Sequence, residues 1–234
     1  MRRAVLWGHH ANEYKEMFDL NDEHFSLPLL EYGCGPSALN STVHDKNPLV
    51  VSIDPLFSLE KRDLVEKATL MFDERALALR SDPLLLDVTA YGGLDAFIAY
   101  RKQGMALFFK DYEQGLTAKR YRADAIDSLP FDDFTFNMAL SSHYFFGDGN
   151  IHSVDDTLSM IKSLARVAKE VRIFPLLNRL SVTSEQLGPV LLGLQQDNYG
   201  VEVREVACSL YPAGNAMLRI WAQECVIYNV GETT

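Results

Sequence analysis

The sequence predicts an α/β protein built on one doubly wound, mostly parallel sheet that ends in an antiparallel hairpin. Three observations carry this expectation. First, an apolar run from Leu27 to Glu31 enters the turn Gly33-Cys34-Gly35, and a second apolar run, Leu49 to Ile53, follows a short helical stretch. Strand, helix and strand in that order imply a parallel pair joined by a right-handed crossover. Second, three further strand-like runs alternate with helical periodicity. Third, Val201–Leu210 and Ala216–Tyr228 flank Tyr211-Pro212-Ala213-Gly214-Asn215, a turn that suits a hairpin and not another βα unit.

Taken in order, residues 10–20 form a helix with Tyr14, Met17 and Phe18 on one side, and a helix over Pro36–His44 follows the glycine turn until Asn47-Pro48 breaks it. Leu59, Leu64, Val65, Ala68, Phe72, Ala76 and Leu79 recur at helical spacing, and Ser81-Asp82-Pro83 can start a new helix. The stretch Leu94–Tyr100 leads to Gly104, and Phe108, Phe109 and Tyr112 precede Gly115. Far more helix stands in 58–116 than one crossover needs, so this segment reads as a helical insertion, a lid or substrate subdomain within a single domain spanning 1–234. A third strand over Tyr121–Ala123 ends in Asp124. Leu129-Pro130-Phe131-Asp132-Asp133 is a turn, and a fourth strand, Phe134–Leu140, runs into Ser141-Ser142-His143. Ser153-Val154-Asp155-Asp156 can cap a helix to Ala168, Val171–Leu177 is a fifth strand, and Ser184–Gln196 is a helix.

The 234 residues fit one generous domain, and a hydrophobic share of 47% is enough for a substantial core. A net charge of −10 repels polyanions, so nucleic acid and anionic membranes are disfavoured as partners. The local run Lys119-Arg120-Tyr121-Arg122 reads as a solvated loop or strand edge. Cys34, Cys208 and Cys225 match no disulfide or metal framework and read as reduced thiols. The apolar run after Arg2-Arg3 is too short for a signal peptide, and no segment approaches the length of a membrane span. These features place the protein in the cytoplasm.

The candidate site centres on Gly33 and Gly35, with Asp54 about twenty residues beyond them. Glycines let the backbone approach a ligand closely, and an acid ending the second strand accepts hydrogen bonds from ribose hydroxyls. Each residue also has a plainer reading. The glycines suit an ordinary strand–helix turn, Asp54-Pro55 suits a helix start, Asp124 can pair with Arg122, and Cys34 can simply fill the turn. His143 lies where the fourth strand ends, at the carboxyl edge where ligands bind in open α/β sheets. There it can act as a base toward an acceptor, fix a loop, or touch substrate passively. Tyr144, Phe145 and Phe146 would wall the same pocket or, equally, pack in the core.

With Ala38 as the third small residue, the turn also fits G-x-G-x-x-A, which a nicotinamide dinucleotide tolerates. The ensemble of Glu31-Tyr32-Gly33-Cys34-Gly35, Asp54, Asp124-Ala125, Leu129-Pro130-Phe131 and Phe134–Leu140 resembles the class I S-adenosylmethionine-dependent methyltransferases, over roughly Leu27–Ser58 and Tyr121–Tyr228. Tyr14–Leu20, Gly35-Pro36-Ser37, Ser141-Ser142-His143 and Gly214–Leu218 are similar to bacterial members with no assigned substrate. The resemblance implies a Rossmann-like fold and S-adenosyl-L-methionine as cofactor. It assigns Glu31, Gly33, Cys34 and Gly35 to the methionine part and ribose, Asp54 with Pro55 to the ribose hydroxyls, and Asp124 with Ala125 to the adenine. Ser141 and Tyr14 join the cofactor-binding set. Asp19 and Tyr112 are placed near it.

His143 is the one catalytic candidate, and no metal is implied. Ser37 stands where a glycine is frequent, and Asn137 where an acid is frequent. No Asn/Asp-Pro-Pro-aromatic motif follows the fourth strand, which argues against amino-group methylation of the DNA or glutamine type. The implied activity is methylation of a small-molecule acceptor by a monomer or homodimer. Alternatives are an aminopropyl-transferring or non-catalytic cofactor-binding member of the fold, or a nicotinamide-dependent oxidoreductase. The last predicts a sixth parallel strand where the sequence offers a hairpin.

Overall fold

A computed structural model describes residues 6–47, 49–82, 86–146, 152–178, 182–212 and 214–222. The strands are β1 (Leu29–Tyr32), β2 (Val50–Ile53), β3 (Tyr121–Arg122), β4 (Phe136–Ser142), β5 (Ala168–Phe174), β6 (Tyr199–Glu205) and β7 (Ala216–Ala222). They form one seven-stranded sheet in the order β3-β2-β1-β4-β5-β7-β6. The pairs among β3, β2, β1, β4 and β5 are parallel, and β7 runs antiparallel to both β5 and β6. The architecture is therefore the Rossmann-like, mostly parallel sheet with a terminal antiparallel hairpin. The order of connection reverses between β1 and β4. In open α/β sheets, the crevice outside the carboxyl ends of the strands at such a reversal is where ligands bind.

Alternation along the strands builds two cores. Leu29, Val50, Met138, Leu140, Phe174 and Met217 face one side. That side is covered by α1 (Ala11–Phe18), α2 (Leu39–Val43), α3 (Lys61–Ser81) and α4 (Leu94–Thr117). Leu30, Val51, Ile53, Ala139, Val171 and Ile220 face the other side, covered by α5 (Val154–Val167) and α6 (Leu187–Gln196). Sheets buried on both faces read as near-continuous apolar runs, which is why these strands are visible in the sequence.

Local rules set the helix ends. Glu13 returns from the third position of α1 to accept the His10 backbone N–H at 2.8 Å, half of a capping box. Ser153 and Asp156 start α5 in the same way, with bonds of 3.1 and 3.2 Å. The helix expected over Pro36–His44 begins only at Leu39; ahead of it the Ser37 amide donates to the Gly35 carbonyl and the Ala38 amide to the His9 carbonyl. Strand β4 begins at Phe136 and not at Phe134, whose φ of 55° is left-handed. Strand β5 starts and ends earlier than expected, as Pro175 has no N–H for the ladder. Strand β6 stops at Glu205, short of Leu210, and α6 starts at Leu187. The expectations for Pro48, Pro83, Ala213, Cys225 and the 223–228 end of the hairpin lie outside the described residues.

Gly104 and Gly115 mark no helix ends; α4 runs through both as a 24-residue helix. At Gly104 the reason is a backbone contact. A Cβ built there would lie 2.0 Å from the Gly8 carbonyl oxygen, and one on Gly8 would lie 1.9 Å from the Arg101 carbonyl oxygen. Residues 6–10 thus run as a strap directly on α4. Helix α3 buries Leu64, Ala68, Phe72, Ala76 and Leu79 along one face. No described helix is long and apolar enough to cross a membrane.

Candidate functional site

The glycine turn leaves β1 at the centre of the sheet. Gly33 and Gly35 have φ of 67° and 55°, left-handed values that favour glycine. The Gly33 N–H donates to the Ile53 carbonyl at 2.8 Å, tying the turn to the end of β2. Close approach is also required here, and aromatic rings of the protein make it. A Cβ on Gly33 would lie 2.4 Å from the Tyr144 ring, and one on Gly35 2.5 Å from the Trp7 indole nitrogen.

Asp54 follows β2 and is buried. Its two carboxylate oxygens accept the backbone N–H of Gly35 at 2.8 Å and of Leu56 at 2.9 Å. It therefore caps the 3-10 turn Pro55–Ser58 and holds the glycine turn at once. Burial pushes its carboxyl up from the usual range, and the two amide bonds pull the other way. One further acceptor position per oxygen remains for a ligand. Pro55 beside it is exposed.

Glu31 points to the α1 side of the sheet. It accepts the Tyr14 hydroxyl and, at 2.7 Å, the Ser52 hydroxyl. Burial raises its carboxyl, against the pull of these bonds. Tyr14 is itself fully buried, and burial beside Glu31 raises its hydroxyl. Together they brace the turn from below. Cys34 packs among Phe57, Leu64, Phe108, Tyr112 and Tyr121. Burial pushes its thiol up, as do Glu31 and Asp54, the opposite of what a nucleophilic cysteine needs.

Asp124 and Ala125 lie at the end of β3, two strands out from β1. The Arg122 guanidinium holds Asp124 through two bonds, one of 3.1 Å. In the same basic run, Arg120 is bidentate on Asp111, both bonds 2.7 Å. Asp19 pairs with Arg204 at 3.1 Å. Tyr112 donates to the Phe57 and Leu59 carbonyls at 3.1 and 3.2 Å, and burial pushes its hydroxyl up to about 12. It closes the small core around Cys34.

His143 sits just past β4 with a left-handed φ of 64°, and its N–H donates to the Phe174 carbonyl at 2.6 Å. Its Nε2 hydrogen-bonds the hydroxyl of Tyr211, from the connection between β6 and β7. Ser141, two residues earlier, is fully buried, and its hydroxyl has no hydrogen-bond partner among the described residues.

Sequence reasoning missed Trp7, His9, Arg101 and Tyr211. The strap lays the His9 ring 4.9 Å from that of His143 and 6.2 Å from that of Tyr14. The His9 carbonyl accepts the Ala38 N–H at 2.9 Å. Neither His9 ring nitrogen has a partner among the described residues, an arrangement that costs about 1–3 kcal/mol per unmet group. The only sequence signal was a glycine beside two histidines near the start of the chain.

Burial, then the charge of Arg101, then His143, holds His9 well below its usual 6.5. The unfolded chain therefore binds a proton that the folded chain refuses, and stability falls as pH drops below about 6.5 toward the lowered value. One such group contributes a slope of about 1.4 kcal/mol per pH unit. Glu31 and Asp54, whose values are raised, act with the opposite sign, so the His9 part is read as a difference. Urea unfolding across pH 5–8 should show a shallower acid-side loss for His9→Gln than for wild type. Equal slopes would mean that His9 titrates as in an open chain.

By topology the chain is a Rossmann-like α/β protein with a glycine turn and a carboxylate at the switch between β1 and β4. No family model matches it. A protein of Methanocaldococcus jannaschii described only as uncharacterized is 25% identical over 221 residues, covering 94% of this chain and 97% of that one. Among similar solved structures is a SAM-dependent methyltransferase from Aquifex aeolicus, at 17% identity and TM-score 0.42, covering 90% and 92% of the two chains. Another is the magnesium protoporphyrin IX methyltransferase of Synechocystis PCC 6803 with bound SAM. It has 11% identity and TM-score 0.43, covering 84% of this chain and 70% of that one.

Proposed function

We propose that the protein is a class I S-adenosylmethionine-dependent methyltransferase that acts on a small-molecule acceptor in the cytoplasm, as a monomer or homodimer. The observation that carries this reading is the pairing of a left-handed glycine turn with buried Asp54 at the reversal between β1 and β4. The residues fit the cofactor: Asp54 keeps two acceptor positions for ribose hydroxyls, and the backbone of Gly33, Cys34 and Gly35 lies beside it, so the cofactor would lie along that turn where the Tyr144 and Trp7 rings now pack. Glu31 and Tyr14 hold that turn in place. Pro55 flanks the ribose side, Asp124 and Ala125 serve the adenine end, and Ser141 offers a buried hydroxyl with no partner among the described residues.

When bound, S-adenosyl-L-methionine supplies a methyl group on a positively charged sulfur. The chain's part is to align acceptor and methyl and to keep water out. Tyr144 covers the glycine turn, Phe145 and Phe146 pack in the core against α5, and His143 is the candidate base. The helices of 58–116 act as lid and substrate subdomain. An open cleft of about 640 Å³ between α1 and α4 is lined by Glu16, Tyr91, Tyr100 and Gln103 among others, and by none of Gly33, Gly35, Asp54 and His143.

A second reading, a cofactor-binding or aminopropyl-transferring member of the same fold, draws on Trp7 and Tyr144 lying directly on the glycine turn. A nicotinamide-dependent reading is opposed by the antiparallel β7. Calorimetry should give saturable binding of S-adenosyl-L-methionine and none of NAD; the reverse overturns the assignment. Binding without methyl transfer to any of a broad panel of hydroxyl, amine and thiol acceptors would favour the second reading.

A further inference from the structure

We propose that His9 is an acceptor-binding residue, and that the group it takes is an acidic hydroxyl bound as its oxyanion, as in a phenol or enol. The inference rests on the methyltransferase reading and names its substrate class. A fully buried imidazole with both nitrogens unmet is rare in a native fold. It stands over the same edge of the sheet as His143, ring to ring at 4.9 Å. A neutral imidazole offers one N–H and one lone pair, so His9 presents a donor for an oxyanion and an acceptor for a second hydroxyl or a water.

The charges facing His9 choose the ligand's sign. Arg101 from α4 is buried, and its charge is felt at His9. His143 and His10 add to the same effect. Tyr14 from α1 faces the ring too, with its hydroxyl committed to Glu31. Arg101 is paired with Glu13 at 2.9 Å, which tempers its field, and the other Glu13 oxygen accepts the His10 backbone N–H at 2.8 Å. An ammonium is disfavoured at such a place and an oxyanion favoured.

The step then balances without a proton transfer. An oxygen lone pair of the bound anion forms the new O–C bond, the C–S bond breaks, and its electron pair stays on sulfur. The anion and the sulfonium both become neutral, and His9 remains neutral throughout. The acceptor's proton has gone to solvent or to His143 on binding.

The test uses para-nitrophenol, whose ionisation is visible by absorbance, and para-nitroaniline as its amine counterpart. Both are titrated into the full-length protein with and without S-adenosyl-L-methionine. The phenol should bind about tenfold or more tighter than the aniline, with its ionisation midpoint lowered by about one pH unit or more on binding. His9→Phe should lose about tenfold in phenol affinity and return the midpoint to its free value. His9→Gln, which keeps an N–H donor, should retain most of both. S-adenosyl-L-methionine affinity should be unchanged in each variant, which also reports that they fold. Equal binding of the two probes, no binding of either, or an unmoved midpoint in wild type overturns the proposal. So does a His9→Phe variant that binds like wild type. Failure of S-adenosyl-L-methionine to bind wild type sinks the methyltransferase reading, while the titration without it still reads His9.

Discussion

Arg101→Leu should destabilise the fold by about 3–5 kcal/mol, because it strands a buried carboxylate. Arg101 is among the largest fully buried side chains, and its Nη2 lies 2.9 Å from Glu13, itself buried. Nη1 donates to the Leu6 carbonyl at 3.0 Å. Glu13 also accepts the His10 N–H and the Tyr91 hydroxyl, at 2.8 and 3.0 Å. One ion pair therefore joins the strap, α1, α4 and the turn before α4. Removing the cation leaves Glu13 charged in the interior; removing both partners leaves neither charge buried. The double variant Arg101→Leu/Glu13→Leu should accordingly lose clearly less than the sum of the single losses. Chemical denaturation of the four proteins checks this. A loss below about 1 kcal/mol for Arg101→Leu would show that Glu13 reaches water or a proton at little cost.

Asp54→Ala should weaken S-adenosyl-L-methionine binding by about 10- to 150-fold, equivalent to about 1.5–3 kcal/mol for hydrogen bonds to a carboxylate. The same change orphans the Gly35 and Leu56 amides, so a stability loss of about 1–3 kcal/mol should accompany it. Two measurements separate the roles. Calorimetry reads the cofactor, and denaturation reads the cap. A variant that loses stability but keeps its affinity would reduce Asp54 to a structural residue.

The local half of this protein was legible in its sequence. The apolar runs of β1, β2, β4 and β5, the Ser153–Asp156 cap and the closing hairpin all obey short-range rules, and each formed within a few residues of its expected place. Departures arose where a distant segment overrode the local signal. Gly104 carried no reading of its own beyond following the Leu94–Tyr100 stretch, yet its missing side chain is what admits Gly8. Tyr112 looked free to reach a ligand, but the Phe57 and Leu59 carbonyls claim its hydroxyl. Asp124 has the plain partner that its neighbour Arg122 offered. The site was half visible for the same reason. Glycines and an acid at fixed spacing are a local pattern, whereas Trp7 and His9 reach the turn only through contacts with a helix about ninety residues away.

That separation fixes an order of assembly. During synthesis the strap emerges ahead of β1, the glycine turn and β2. Arg101 and Gly104, which seat the strap, emerge only after α3 is complete, and Tyr211, which holds His143, later still. A nascent chain with its first βαβ unit already made would carry an uncovered turn, a loose Trp7 and a Glu13 without its cation. The strap, made before the helix that seats it, thus finds its place late, and closure of the site waits for α4 and for the connection between β6 and β7.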